Sequence, residues 1–380
     1  MKVTILCSGF GLGFYTPGLL IEAGLHRLGI GTAVHVFENV LPESARTKVD
    51  QNRKAYHDNF KIALMSQKIP QDMSESIDPE ALEQLLTLWC EEDRRHFICL
   101  SGHWLYVLEQ YRSRRNGVPL HIELLYMDST PSPSWKNIER YRPQFAEGCG
   151  QLTLFDRATG SISCYIDVPV PLVPYEEREH RLFIHGGGWG MGTYRDKLDE
   201  LEAAGYGLDI MLYNDDAPDA QAGSRRYYRM DPHWRTWQTG VDGRHIFPPF
   251  AEVHSDEETL YRNQEEYHLL YVRQRRMKAI VSKPGGGTMT DSFASATPLI
   301  MLEPFGAHEK DNADLWEELG FGIRYERWVS EYGGGADILE KMHTDLLEAK
   351  KRTPECSRLI AQRLGLYSTQ TVPGVKEGSR

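Results

Sequence analysis

The stretch Ala279–Pro298, AIVSKPGGGTMTDSFASATP, decides the fold. An apolar run ends at Ser282, and Gly285, Gly286, Gly287, Thr288 and Thr290 then open a helix. That helix stops near Ala296, Thr297 and Pro298, and a second apolar run follows at Leu299–Leu302. Strand, glycine turn, helix and strand make up the unit of a doubly wound parallel sheet. The turn suits an anion. Glycine lets a ligand approach the backbone, and the first N–H groups of the helix meet it with the positive end of the dipole. The N–H groups of Gly286, Gly287 and Thr288 are thus available to a diphosphate. Asp291, one turn on, offers paired acceptors to a ribose diol. The next strand delivers Glu303–Asn312, EPFGAHEKDN, a polar cluster at a strand's carboxyl end, where open α/β sheets bind ligands.

Working outward, the same unit recurs twice. Arg181–His185 reads as a strand, Gly186–Gly192 as a glycine loop, Tyr194–Ala204 as an amphipathic helix closed by Gly205, and Leu208–Tyr213 as the next strand. At the start, the strand Val3–Cys7 runs into Ser8–Gly13, SGFGLG. A helix start with Pro17 near its first turn follows, then a strand at Thr32–Phe37. This first loop matches the dinucleotide pattern GxGxxG only in part, because residue 14 is Phe. Pro79–Cys90 and Trp104–Arg112 read as helices, and His96–Leu100 and Leu120–Tyr126 as strands. Cys149–Pro174 reads as irregular or β-rich. The proline-spaced Val168–Pro174 is the best domain boundary. The fold class is therefore α/β, with two Rossmann-like domains facing a central cleft. Residues 1–174 form the first domain, 175–355 the second, and 356–380 a C-terminal helix with a frayed tail from Thr369.

Composition narrows the function classes. A chain of 380 residues, 41% hydrophobic and 26% charged, is ordinary for a globular protein of two domains. A net charge of -11 argues against nucleic acid as a partner. The six cysteines lack CxxC spacing, so neither a zinc site nor a disulfide framework is expected. No apolar run approaches the ~18 residues of a membrane span. The N-terminus has no signal-peptide pattern, and a cytoplasmic location is expected. Lys48–Lys68 carries scattered basic residues without a clear amphipathic anchor.

Ser282–Pro298 with Pro304–Ala313 resembles the donor-binding signature of the GT-B nucleotide-sugar glycosyltransferases. That group includes the N-acetylglucosaminyltransferase that makes lipid II, monogalactosyldiacylglycerol synthase and the UDP-glycosyltransferases of small molecules. The resemblance implies a nucleoside-diphosphate sugar donor, UDP-linked, bound by the C-terminal domain and transferred with inversion. It implies that Asp291 holds the ribose, and that Gly286, Gly287 and Thr288 face the diphosphate together with Gly187 and Gly188. His308 and Glu309 would grip sugar hydroxyls, and Phe247 or Phe250, after a strand around His245–Phe250, would lie near the base. Gly11 belongs to the first glycine loop. No tightly bound cofactor and no metal is expected, because backbone N–H groups and the helix dipole can compensate the departing diphosphate. The acceptor is expected to be a small molecule, and the chain a monomer or homodimer.

Many small-molecule members carry a base histidine in the first glycine loop, and Gly13–Pro17 has none. The candidates at carboxyl ends of N-domain strands are Glu38, His103 and Asp128. His103 is favoured because it follows the strand His96–Leu100 directly and so faces the crevice. Each also has an ordinary reading, as a packed histidine, a turn carboxylate or a turn acceptor. Arg225–Arg229 alternates like an exposed strand, Arg273–Arg276 like the charged end of a helix. Trp234 and Trp237 fit either core packing or an acceptor cleft. An NAD-dependent oxidoreductase using Gly9–Gly13 leaves Ser282–Asn312 unexplained. A UDP-sugar epimerase of the same fold and a non-catalytic nucleotide-sugar binder remain as alternatives.

Overall fold

The structure, a computed structural model, describes residues 2–66, 72–214, 216–218, 223–255 and 257–367. The tail Thr369–Arg380 and the end of the Lys48–Lys68 stretch lie outside the described residues. The first half runs β1 (Lys2–Cys7), α1 (Leu12–Arg27), β2 (Gly31–Val36), α2 (Glu43–Asp58), α3 (Phe60–Ser66), α4 (Pro79–Glu91) and β3 (His96–Cys99). It continues with α5 (Leu105–Arg114), β4 (His121–Tyr126), α6 (Pro133–Tyr141) and β5 (Gly150–Thr153). The five strands are parallel, in the order β2-β1-β3-β4-β5. The chain leaves β1 toward one edge and resumes at β3 on the other side. This reversal opens a crevice at the carboxyl ends of β1 and β3.

Helix α1 begins at Leu12, five residues before the expected Pro17, which sits inside it. Extended Gly11 is its N-cap, and Pro17 forgoes the backbone bond to residue 13. The glycine loop therefore passes straight into a helix N-terminus facing the crevice. The region read as irregular or β-rich supplies β5 and then a short antiparallel hairpin, β6 (Phe155–Asp156) with β7 (Ser161–Ile162).

The second sheet has seven strands. Its elements are β8 (Glu179–Ile184), α7 (Leu198–Ala203), β9 (Gly207–Leu212), β10 (Arg225–Met230), β11 (Phe250–Val253), α8 (Leu270–Gln274), β12 (Met277–Ser282) and α9 (Gly286–Ser295). Then come β13 (Leu299–Met301), α10 (Ala307–Glu318), β14 (Gly322–Arg324), α11 (Tyr325–Tyr332), α12 (Asp337–Arg352) and α13 (Cys356–Arg363). The order is β11-β10-β9-β8-β12-β13-β14, and only β11 runs antiparallel to its neighbour. Strands β8 and β12 are adjacent, so the two glycine loops that leave them lie side by side.

Three local expectations are corrected. Residues Tyr194–Lys197 form a 3-10 turn, and only Leu198–Ala203 is α-helical. Strand β10 is an inner strand rather than an exposed one. Tyr227 and Tyr228 are buried, and Arg226 pairs with Glu179 at 2.9 Å. The strand expected around His245–Phe250 starts only at Phe250. Pro248 and Pro249 lack the N–H groups a ladder needs.

Irregular residues 231–249 instead embrace the first domain. Tyr15 donates to the Ile246 carbonyl at 2.8 Å, Arg235 pairs with Asp50 at 2.8 Å, and the Trp234 ring packs edge-on to Tyr15 at 5.4 Å. The proline-spaced segment before β8 is pinned by buried Arg178, which donates to the carbonyls of Val173, Met277 and Ser295. Helix α13 returns to the first domain. Arg363 pairs with Glu123 at 2.9 Å, and a β-carbon on Gly24 would stand 2.2 Å from the Ser357 hydroxyl. The two sheets thus share one packed core along α1, α9 and α13.

Candidate active site

Three loops at strand carboxyl ends converge between the sheets: Ser8–Gly11 after β1, His185–Gly192 after β8, and Lys283–Gly285 after β12. Their meeting requires glycine. A β-carbon on Gly188 would stand 2.5 Å from the Leu12 nitrogen, and one on Gly286 would stand 2.5 Å from the Met127 carbonyl oxygen. The loops wall a cavity of about 990 Å³. On one side stand Lys283, Gly287, Thr288, Asp291, His308 and Glu309. On the other stand Phe10, Gly11, His103, Asp128, Ser132 and Asn137. Helix α2 leans over the cavity from the first domain. Tyr56 packs on Trp189 with ring centroids 5.6 Å apart, and His57 Nδ1 meets the Gly190 carbonyl at 2.8 Å.

The N-terminus of α9 is only partly free. Asp128 Oδ1 accepts from the Gly286 N–H at 3.0 Å and from Asn312 Nδ2 at 2.9 Å. Asn312 also accepts from the Ser129 N–H at 2.8 Å and donates to the Pro284 carbonyl at 2.9 Å. Asp128 thus caps a helix of the other domain and joins the two sheets. Both of these hydrogen bonds fall on Oδ1, and Asp128 lines the cavity as well. Of the three donors read from the sequence, Gly287 and Thr288 have no first-domain partner among the described residues.

Sequence reading missed the most telling group. Lys283 is 8% exposed, with its ammonium 3.0 Å from Glu309 Oε1. It lies beside two glycine turns: a β-carbon on Gly187 would stand 3.4 Å from Nζ, and one on Gly285 would stand 3.9 Å away. Glu309, expected to grip sugar hydroxyls, is engaged at both oxygens. Its Oε2 accepts from the Phe305 N–H at 2.6 Å. His308 lines the cavity beside it. A lysine between a buried strand and a glycine turn was the available signal.

Asp291 lines the cavity, and its Oδ1 accepts from the Tyr271 hydroxyl at 2.5 Å. Burial pushes its carboxyl up to about 7 against the opposing pull of that bond. Phe250 does not reach the cavity. It stacks on Tyr228 at 5.6 Å on β11, and Phe247 is buried in the apolar core. The residues of that region that do line the cavity are His268, Leu270 and Tyr271. Trp234 and Trp237 line a separate void of about 50 Å³.

Among the candidate bases, Glu38 is fully buried behind the first loop. Its Oε2 accepts from the Gly9 N–H at 2.8 Å, and burial raises it to about 7. It holds the loop and does not line the cavity. His103 does line it, with Phe10 edge-on at 5.4 Å and Phe37 at 5.3 Å. Burial lowers its imidazole to about 4, so it is neutral at pH 7. No cluster of His, Cys, Asp and Glu side chains suited to a metal occurs among the described residues, and no helix there is long and apolar enough to cross a membrane.

No family model matches the chain. It is 30% identical over 93 residues to a processive diacylglycerol beta-glucosyltransferase of Bacillus pumilus (strain SAFR-032), covering 24% of this chain and 22% of that protein. It is 46% identical over 43 residues to the enzyme of the same name from Staphylococcus aureus (strain JH9), covering 11% of each. The matches thus span a quarter or less of these curated relatives. Solved structures match along nearly the whole chain. The glycosyltransferase SnogD from Streptomyces nogalater superposes with a TM-score of 0.55 at 12% identity, covering 97% of this chain and 99% of that one. SsfS6 from Streptomyces sp. SF2575, complexed with thymidine diphosphate, gives 0.57 at 12%, with 96% and 99% covered. Acinetobacter baumannii MurG gives 0.53 at 11%, with 96% and 99% covered. The chain has the GT-B fold.

Proposed function

We propose that the chain transfers a sugar from a nucleoside-diphosphate donor, UDP-linked by the resemblance of its loop, to a small-molecule acceptor. The C-terminal domain holds the donor and the N-terminal domain the acceptor. The observation that carries this is the buried Lys283 ammonium lying beside the Gly187 and Gly285 turns, at the cavity wall that α9 opens into. An ammonium and helix N–H groups that converge on glycine-lined space are complementary to a diphosphate. The thymidine diphosphate bound by SsfS6 supports the same ligand class.

In the transfer, the acceptor oxygen attacks the anomeric carbon from the face opposite the diphosphate. The bond between that carbon and the phosphate oxygen breaks, and the configuration inverts. The N–H groups of Gly287 and Thr288, the α9 dipole and Lys283 take up the leaving group's charge, and this needs no divalent cation. Asp291 holds the ribose, and His308 contacts the sugar. Glu309 acts through Lys283, which it positions. The acceptor's proton passes to His103. Alone, that imidazole is a weak base. The negative charge of a bound diphosphate favours its protonated form and so strengthens it.

A second reading, a non-catalytic nucleotide-sugar binder, is favoured by one observation: no carboxylate hydrogen-bonds His103 among the described residues. Calorimetric titration with UDP, TDP and NAD, followed by transfer assays on intact donors, separates these readings. Binding of UDP or TDP with turnover supports transfer, and binding without turnover supports the binder. Stabilisation by NAD alone removes both. The same proposal takes the protein as cytoplasmic and monomeric or dimeric, which fractionation and light scattering check.

A further inference from the structure

The Tyr271–Asp291 pair carries an inference about donor specificity that rests on the proposal above. Asp291 is the carboxylate assigned to the ribose, yet one of its oxygens is already committed. The Tyr271 hydroxyl stands 2.5 Å from Oδ1, the length of a charge-assisted O–H···O⁻ bond. Neither partner can easily turn away. Tyr271 is 1% exposed on α8, and that helix is tied to α9 through Gln274, whose amide donates to Ser295 Oγ at 3.3 Å. Ser295 in turn donates to the Asp291 carbonyl at 2.7 Å. The phenol hydroxyl thus occupies an acceptor position of Oδ1, whereas no hydrogen bond to Oδ2 is found among the described residues, and Asp291 lines the cavity.

We propose that Asp291 grips a single ribose hydroxyl through Oδ2 and that Tyr271 is the positioning residue that prevents a two-point grip on the diol. A carboxylate with both oxygens free would take the 2′ and 3′ hydroxyls together and would lose affinity when either was removed. With one acceptor position of Oδ1 filled by the buried Tyr271 hydroxyl, Oδ2 is the oxygen left open to the ribose, so one hydroxyl is read and the other is not. The donor site therefore accepts a nucleoside diphosphate that lacks the unread hydroxyl.

The test is calorimetry of the full chain with UDP, 2′-deoxy-UDP and 3′-deoxy-UDP. Loss of a hydrogen bond to a charged group costs roughly tenfold or more in Kd. One deoxy analogue should lose at least that, while the other stays within about threefold of UDP. Tyr271→Phe, which frees Oδ1, should make the tolerated analogue lose about tenfold relative to UDP. A merely structural role for the hydroxyl would shift all three affinities together. Loss of affinity for both analogues in the wild type means a two-point grip and overturns the inference, a result that needs no variant to fold. Loss for neither removes Asp291 from the ribose and overturns it equally. Absence of binding by UDP itself overturns the donor reading on which the inference rests, and the inference falls with it.

Discussion

Replacing Lys283 by Met keeps the length of the side chain and removes its charge. Lys283 Nζ is 3.0 Å from Glu309 Oε1, and both side chains are nearly buried. Opposite unit charges ~4 Å apart attract by about 4 kcal/mol at an effective dielectric of 20. The ammonium is already shared with Glu309, so roughly half of this, ~2 kcal/mol, is expected as net diphosphate affinity. That corresponds to a UDP Kd about 30-fold weaker. The variant also strands the Glu309 carboxylate, which keeps the Phe305 N–H as its hydrogen-bond donor among the described residues, and breaking a buried pair costs about 3–5 kcal/mol of stability. Lys283→Met combined with Glu309→Gln separates the two effects. The pair should recover most of the thermal stability and remain about 30-fold weak for UDP. The assays are differential scanning fluorimetry and calorimetry with UDP. A folded Lys283→Met protein that binds UDP within about threefold of wild type refutes the reasoning. So does a double variant that regains full affinity, because the fault would then lie in Glu309's unpaired charge.

His103→Ala should lower transfer by about 10²–10⁴-fold while leaving UDP affinity unchanged, and full retained activity would remove His103 as the base. Asp128→Ala uncaps α9 and unties Asn312, so thermal unfolding should show a loss of roughly 1–2 kcal/mol. An unchanged melting curve would contradict the interdomain cap. Asp291 is raised to about 7 by burial, whereas an unfolded aspartate ionises near ~3.9. The unfolded state loses its proton first, so this group's contribution to stability is intact below about pH 4 and declines as pH rises toward about 7. Asp291→Asn should therefore be more stable than wild type at pH 8 by roughly 1 kcal/mol or more, with no gain at pH 4, and chemical denaturation at the two pH values checks the sign.

The C-terminal half was legible because its signals are local. Strand, glycine turn and helix follow one another in Ala279–Pro298, and the structure places them within a residue or two of the reading. Several departures have long-range causes. Nothing near Asp128 in sequence announces that it will cap a helix that begins at residue 286. Nothing near Glu309 announces Lys283, although both lay in the stretches that were read. The strand expected around His245–Phe250 is forbidden by a local signal, Pro248 and Pro249. Leu270 and Tyr271, just before the charged Arg273–Arg276, reach the cavity, and no local pattern marks them. Glu38 and His103 both follow strands of the first sheet, and position favours His103 only by its place directly after His96–Leu100. Burial separates them, since one supports the loop from behind and the other faces the cleft.

The most direct measurement is a donor screen by mass spectrometry. The purified protein is incubated with a panel of nucleoside-diphosphate sugars and a mixture of small hydroxylated acceptors. The account predicts that at least one donor releases free nucleoside diphosphate and yields a product heavier than its acceptor by one sugar residue. It also predicts that Lys283→Met and Asp291→Ala each suppress the conversion. A protein that neither binds nor consumes any donor of the panel, yet is stabilised by NAD, would contradict it.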